Sequence, residues 1–189
     1  NSNLGETLGL EVTSTIGDIR EDFMRDPQGV PSGMDKTVYL ESLVEQALIE
    51  KPSFDLLVMG RQEGQGCYCM VNNILHNFTD RLTQSYRYMV VDNEAGMEHI
   101  SRLTTKDVDI LLIVSDTSRR GLQAALRIDE LARSLNIGVG KSYVIINQVK
   151  NSLSGKALEM IEAGGLELAG TVPDDETIYE YDFNGQATI

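Results

Sequence analysis

The chain has 189 residues, 41% hydrophobic and 24% charged, which fits one globular domain with a real core and excludes disordered, collagenous and disulfide-scaffold classes. Sixteen Lys and Arg stand against 29 Asp and Glu, a formal net charge of −13, which argues against a general binder of nucleic acid or anionic membranes. No apolar run approaches the roughly 20 residues needed to span a bilayer and no signal segment opens the chain, so a cytoplasmic protein is expected.

Short β-branched apolar runs alternate with longer amphipathic stretches, the rhythm of an α/β fold with a mostly parallel sheet flanked by helices. The opening segment is punctuated by Asp26, Pro27, Gly29, Pro31 and Gly33, so Glu21 to Gly33 reads as a mobile surface loop. Apolar residues at three- and four-residue spacings predict a helix from Thr37 to Glu50, stopped by Pro52. Phe54 to Gly60 reads as a strand entering a Gly-rich loop, Met70 to Leu82 as a helix, and Tyr88 to Asp92 as a strand. A buried-type strand is predicted over Asp109 to Val114 and a helix over Gly121 to Leu135, closed by Asn136 and Gly138. A strand over Ser142 to Asn147, a helix over Ser154 to Ala163 and a strand over Leu166 to Val172 complete the chain. Residues 1–189 are therefore expected to form a single domain.

Ligands of open α/β sheets bind at the carboxyl ends of the strands, and the motifs here fall there. In Val90-Val91-Asp92-Asn93-Glu94-Ala95-Gly96 an apolar strand ends in Asp, with Gly four residues on. P-loop nucleotidases use this pattern: the Asp holds Mg²⁺ and the Gly amide meets the γ-phosphate, where no side chain would fit. An Asp at this place can equally cap the following helix. Asn147-Gln148-Val149 follows an apolar strand and resembles a base-recognition segment, because the Asn amide offers both the donor and the acceptor that a purine edge needs. A capping Asn is the alternative. Gly170-Thr171-Val172-Pro173 resembles the loop that lines the same base pocket.

Cys67 and Cys69 are the sole cysteines and lie in the Gly-rich run Gly64-Gln65-Gly66-Cys67-Tyr68-Cys69. A disulfide at this spacing closes a small strained ring, whereas two thiolates supply half of a four-ligand site for nickel or zinc, the rest coming from a second copy of the chain. A redox or Fe–S role and a structural role stay open. His76 and His99 are not at ligand spacing from the cysteines.

Taken together, Cys67-Tyr68-Cys69, the run Val91-Asp92-Asn93-Glu94-Ala95-Gly96-Met97-Glu98-His99 and Asn147-Gln148-Val149 resemble the CooC family. These are nickel-insertion accessory ATPases of carbon monoxide dehydrogenase, related to MinD and the nitrogenase iron protein. The resemblance runs from Leu4 to about Gly185 and implies a P-loop NTPase (SIMIBI/MinD-like) core. It further implies an ATP-dependent homodimer that binds metal between paired Cys67 and Cys69 and serves carbon monoxide dehydrogenase as client. In it Asp92 is the Mg²⁺-linked switch residue, Gly96 the γ-phosphate sensor, and Asn147, Val149 and Pro173 face the adenine of ATP or ADP.

One departure stands out. No Gly-x-x-x-x-Gly-Lys-[Ser/Thr] run occurs in the chain, and Gly140-Lys141 and Gly155-Lys156 lack the required context. Against the family, about forty N-terminal residues that would carry this motif are missing, so the chain is expected to be a truncated core that neither binds ATP tightly nor hydrolyses it alone. The lost central strand would leave inner sheet edges to be closed by rearrangement or by a second copy. Two other readings remain: a MinD/ParA-like regulatory ATPase or scaffold with incidental cysteines, and an Fe–S electron-transfer protein.

Overall fold

In a computed structural model, residues 3–60, 78, 80–82, 84–93, 95, 107–135 and 138–188 are described. The chain divides into two compact units, Asn1–Asp92 with Glu180–Ile189, and Asn93–Tyr179.

In the first unit, α1 (Asn3–Thr7) is followed by α2 (Ile16–Arg25) and α3 (Lys36–Ala47). Thr15 and Asp18 build a reciprocal capping box, the Thr15 hydroxyl accepting from the Asp18 N–H and the Asp18 carboxylate from the Thr15 N–H. Helix α2 then buries Ile16, Ile19 and Phe23, a three- and four-residue stripe, against Leu40, Val44 and Ala47 of α3 and against Phe78. The helix occupies the start of the stretch expected as a loop, because its charged outer face, Glu21, Asp22 and Arg25, masks that stripe.

Helix α3 stops at Ala47, short of the predicted Glu50, and Pro52 instead serves a reversal in which the Lys51 N–H donates to the Phe54 carbonyl at 3.0 Å. The reversal pairs β1 (Ile49–Glu50) antiparallel with β2 (Asp55–Leu56). The strand expected over Phe54 to Gly60 is thus cut to two residues, since its continuation is spent on α2: the first helical N–H groups, of Ile16 and Gly17, donate to the carbonyls of Val58 and Met59. Of the helix expected over Met70 to Leu82, residues 78 and 80–82 are helical and the remainder lies outside the described residues. Tyr88 to Asp92, expected as a strand, lie in none of the strands among the described residues, and Val90 is 91% exposed.

The second unit is a parallel sheet with helices packed on it. Its strands β3 (Ile110–Ser115), β4 (Lys141–Val149) and β5 (Glu167–Pro173) lie in the order β3-β4-β5. Between them come α4 (Arg119–Ser134) and α5 (Gly155–Ala163), with Ser118 and Ser154 as N-caps. Register pairs Ile113 with Val144 and Ser115 with Ile146. Ile113, Val144 and Ile146, with Leu122 and Ala125 of α4 and Ala157 and Ile161 of α5, form the core of the unit. Along β3 burial alternates, so Ile110, Leu112 and Val114 turn away from that core. Helix α6 (Glu176–Phe183), which no periodicity announced, spans the boundary between the two units and buries none of its residues.

Candidate functional site

At the carboxyl end of β4 the chain leaves regular pairing. Ile145 and Ile146 pair with Gly170 and Thr171 of β5, and the register shifts before Val149 pairs with Pro173. The shift accommodates Asn147 and Gln148, with Gln148 at φ 56, a left-handed conformation that residues bearing a Cβ seldom adopt. The Gln148 N–H donates to the Asn147 Oδ1 at 2.9 Å. Val149 is buried, and its carbonyl accepts from the Asp174 N–H at 3.2 Å, tying the end of β4 to the residue that follows β5. Asn147, Val149 and Pro173 are thus brought together by adjacent parallel strands. Lys150 and Asp174 add an exposed ion pair at 3.8 Å.

The neighbouring strand end carries a second polar turn. The Ser115 hydroxyl donates to the Asp116 carbonyl, and Asp116 Oδ1 accepts from the Ser118 N–H at 2.9 Å and from its hydroxyl at 2.6 Å. The Ser118 hydroxyl and then its N–H hold the Asp116 carboxyl below the usual carboxylate range. Gly121 makes room for this turn: a Cβ there would lie 2.1 Å from Asp116 Oδ1 and 2.7 Å from Ser115 Oγ. Sequence reasoning passed over Asp116 and Ser118. The signal was present, since Ile110 to Val114 is an apolar run leading into Ser115-Asp116, the same strand-then-polar pattern that singled out Asn147.

Asp92 belongs to the first unit, where it is exposed and outside any helix or strand. Gly96, Cys67 and Cys69 lie outside the described residues. Among the described residues no group of three or more His, Cys, Asp or Glu side chains could hold a metal ion. The end of β4 offers a side-chain amide and backbone groups beside the apolar pyrrolidine of Pro173.

No protein-family model matches the chain. It is 44% identical over 187 residues to an uncharacterized ATP-binding protein of Methanocaldococcus jannaschii, an alignment covering 98% of this chain and 74% of that protein. It is 32% identical over 153 residues to the carbon monoxide dehydrogenase accessory protein CooC of Rhodospirillum rubrum, covering 77% of this chain and 56% of that one. Among solved structures, a ParA family ATPase from Chlorobium tepidum superimposes with a TM-score of 0.65 at 21% identity, over 97% of this chain and 71% of that one. The MinC:MinD cell division complex of Aquifex aeolicus gives 0.66 at 22% identity, over 97% and 69%. At these identities the structural likeness concerns the fold, which is that of ParA/MinD P-loop NTPases.

Proposed function

Because the chain belongs to the family of ATP-binding proteins represented by its Methanocaldococcus jannaschii relative, we propose that it is a nucleotide-dependent metallochaperone, its residues 1–189 forming one P-loop NTPase-like domain. The observation that carries the nucleotide half is the convergence of Asn147, Val149 and Pro173 at the carboxyl end of β4 and β5, where open α/β sheets take their ligands. In this reading Asn147 meets the polar edge of adenine while Val149 and Pro173 border its ring. Asp92 contacts Mg²⁺ and Gly96 the γ-phosphate. With no Gly-x-x-x-x-Gly-Lys-[Ser/Thr] run among these 189 residues, the triphosphate is weakly held and ATP hydrolysis by this chain alone is negligible.

The metal half rests on Cys67 and Cys69 and on the likeness to CooC. Nickel or zinc is the cargo, taken by the two thiolates of one chain and two from a second copy in a homodimer, with carbon monoxide dehydrogenase as the client in the cytoplasm. Metal analysis of the purified, reduced chain tests this: about half an ion of nickel or zinc per chain, lost in Cys67→Ser, is expected of a site shared by two copies. Absence of metal in both proteins favours a MinD/ParA-like regulatory ATPase or scaffold, a reading that the fold accommodates equally. Iron–sulfur absorption that disappears with Cys67→Ser favours electron transfer instead.

A further inference from the structure

Among the described residues β3 and β5 are the two outer strands of the parallel sheet, and their open edges differ. Strand β5 carries Glu167, Gly170 and Pro173 and slips register twice against β4, features that discourage a further strand. Strand β3 has none of them: Ile110-Leu111-Leu112-Ile113-Val114-Ser115 keeps one unbroken register with Lys141 to Ile146, without charge, proline or bulge. Ile113 faces the core shared with α4 and α5, while Ile110, Leu112 and Val114 turn to the other face and are each more than half exposed. A run apolar on both faces is the mark of an inner parallel strand, yet β3 is an outer one. Acidic residues frame its edge, for Asp107 and Asp109 precede the strand and Asp116 follows it, all exposed. A second copy of the chain fits this frame poorly. A twofold axis pairs two such edges antiparallel, and the acidic end of one then meets the acidic end of the other.

We propose that the open edge of β3 is a docking site for a partner polypeptide, which adds to the sheet an extended apolar segment with Lys or Arg at both ends. Backbone N–H and C=O groups of the segment bond to those of β3, and its alternate apolar side chains lie beside Ile110, Leu112 and Val114. The basic ends meet Asp107 and Asp109 at one end of the strand and Asp116 at the other, and the net charge of −13 draws such a segment in. The docking needs neither the nucleotide nor the metal reading given above.

The test uses the ¹⁵N-labelled full chain, without nucleotide or metal, and the synthetic peptide Lys-Arg-Ile-Thr-Val-Thr-Ile-Arg-Lys as the probe. Hydrogen exchange followed by NMR is expected to show the β3 amides that face the open edge slowed about tenfold or more at saturation, with the amides of β5 unchanged. A peptide with Glu in place of each Lys and Arg is expected to bind about tenfold more weakly, and the gap to narrow as sodium chloride is raised. Val114→Lys, which sets a charge on the exposed side of the edge, is expected to abolish protection by the basic peptide while the amides of Val144 and Ile146 keep their slow exchange. If that variant does not fold, a peptide with Pro at its central position is added to the parent chain in its stead and is expected to give no protection. Protection of β5 rather than β3, no protection at all, equal binding of the basic and acidic peptides, or undiminished protection in Val114→Lys or by the Pro peptide overturns the proposal. Slowing of the β3 amides that grows with protein concentration in the absence of peptide also overturns it, since the edge then belongs to a second copy.

Discussion

Gly60 is held at φ +67, and a Cβ on it would lie 2.2 Å from the Thr15 hydroxyl oxygen, within the cap of α2. Alanine here suffers twice, from the left-handed backbone, worth about 1–2 kcal/mol, and from displacing the Thr15 cap. Gly60→Ala is therefore expected to lower the urea midpoint without altering the slope of the transition. The glycine was conspicuous in the sequence as the entrance to a Gly-rich loop, but its partner lies 45 positions upstream, and nothing local to either residue links them. Asn147 is a contrasting case. It stood out in the sequence because a side-chain amide offers both a donor and an acceptor, and on the proposed nucleotide reading Asn147→Ala is expected to weaken ATP about tenfold in a nucleotide titration, with little change in melting temperature. The conformation of Gln148 was not legible, since propensity assigns positive φ to glycine and asparagine.

Strands β3 to β5 and helices α4 and α5 were readable because hydrophobic period and end signals agree: Ser118 and Ser154 stand directly before the helices they cap, and Gly164 and Gly165 follow α5. Ser154→Ala removes the acceptor for the Ala157 N–H and is expected to cost about 1 kcal/mol in thermal or denaturant unfolding. Truncating Ile146, at the centre of the sheet core and 0% exposed, is expected to cost about 2–5 kcal/mol on the same measurement. Helix α2 escaped notice because its end signal is a capping box closed by Asp18, with Glu21 and Asp22 crowding the outer face. Tyr88 to Asp92 show the opposite: their apolar run is evident, yet they lie in none of the strands among the described residues.

Aspartates mark several helix starts and make those elements sensitive to acid. Asp35 before α3 and Asp175 before α6 accept from the N–H groups of Thr37 and Thr177, which together with the threonine hydroxyls hold both carboxyls below 3.8. A depressed folded-state value contributes stability that is fully present above 3.8 and is lost as pH falls through the folded value. Carboxyl-carbon titration by NMR is expected to give both aspartates midpoints under 3.8, with amide signals of the first turns of α3 and α6 weakening over the same range.

For the whole molecule, a net charge of −13 on 189 residues means that the folded state concentrates like charge. Raising ionic strength from about 0.01 M to about 0.15 M shortens the screening length from about 30 Å to about 8 Å and is expected to raise the melting temperature. A calorimetric series in sodium chloride checks the sign. Fold class was legible at this scale, since the alternation of strand and helix in the second half of the chain leaves few arrangements other than a parallel layer with helices upon it. The division into two compact units was not, because no linker composition marks the passage from Asp92 to Asn93.

The order β3-β4-β5 also sets a clock. In a parallel strand successive residues address opposite neighbours, so the inner strand β4 satisfies both sides whereas β3, outermost among the described strands, satisfies one. Deuterium should therefore enter β3 in a stepped pattern, every second amide exchanging early. Along the paired stretch of β4 the amides should wait for the unit to open as a whole.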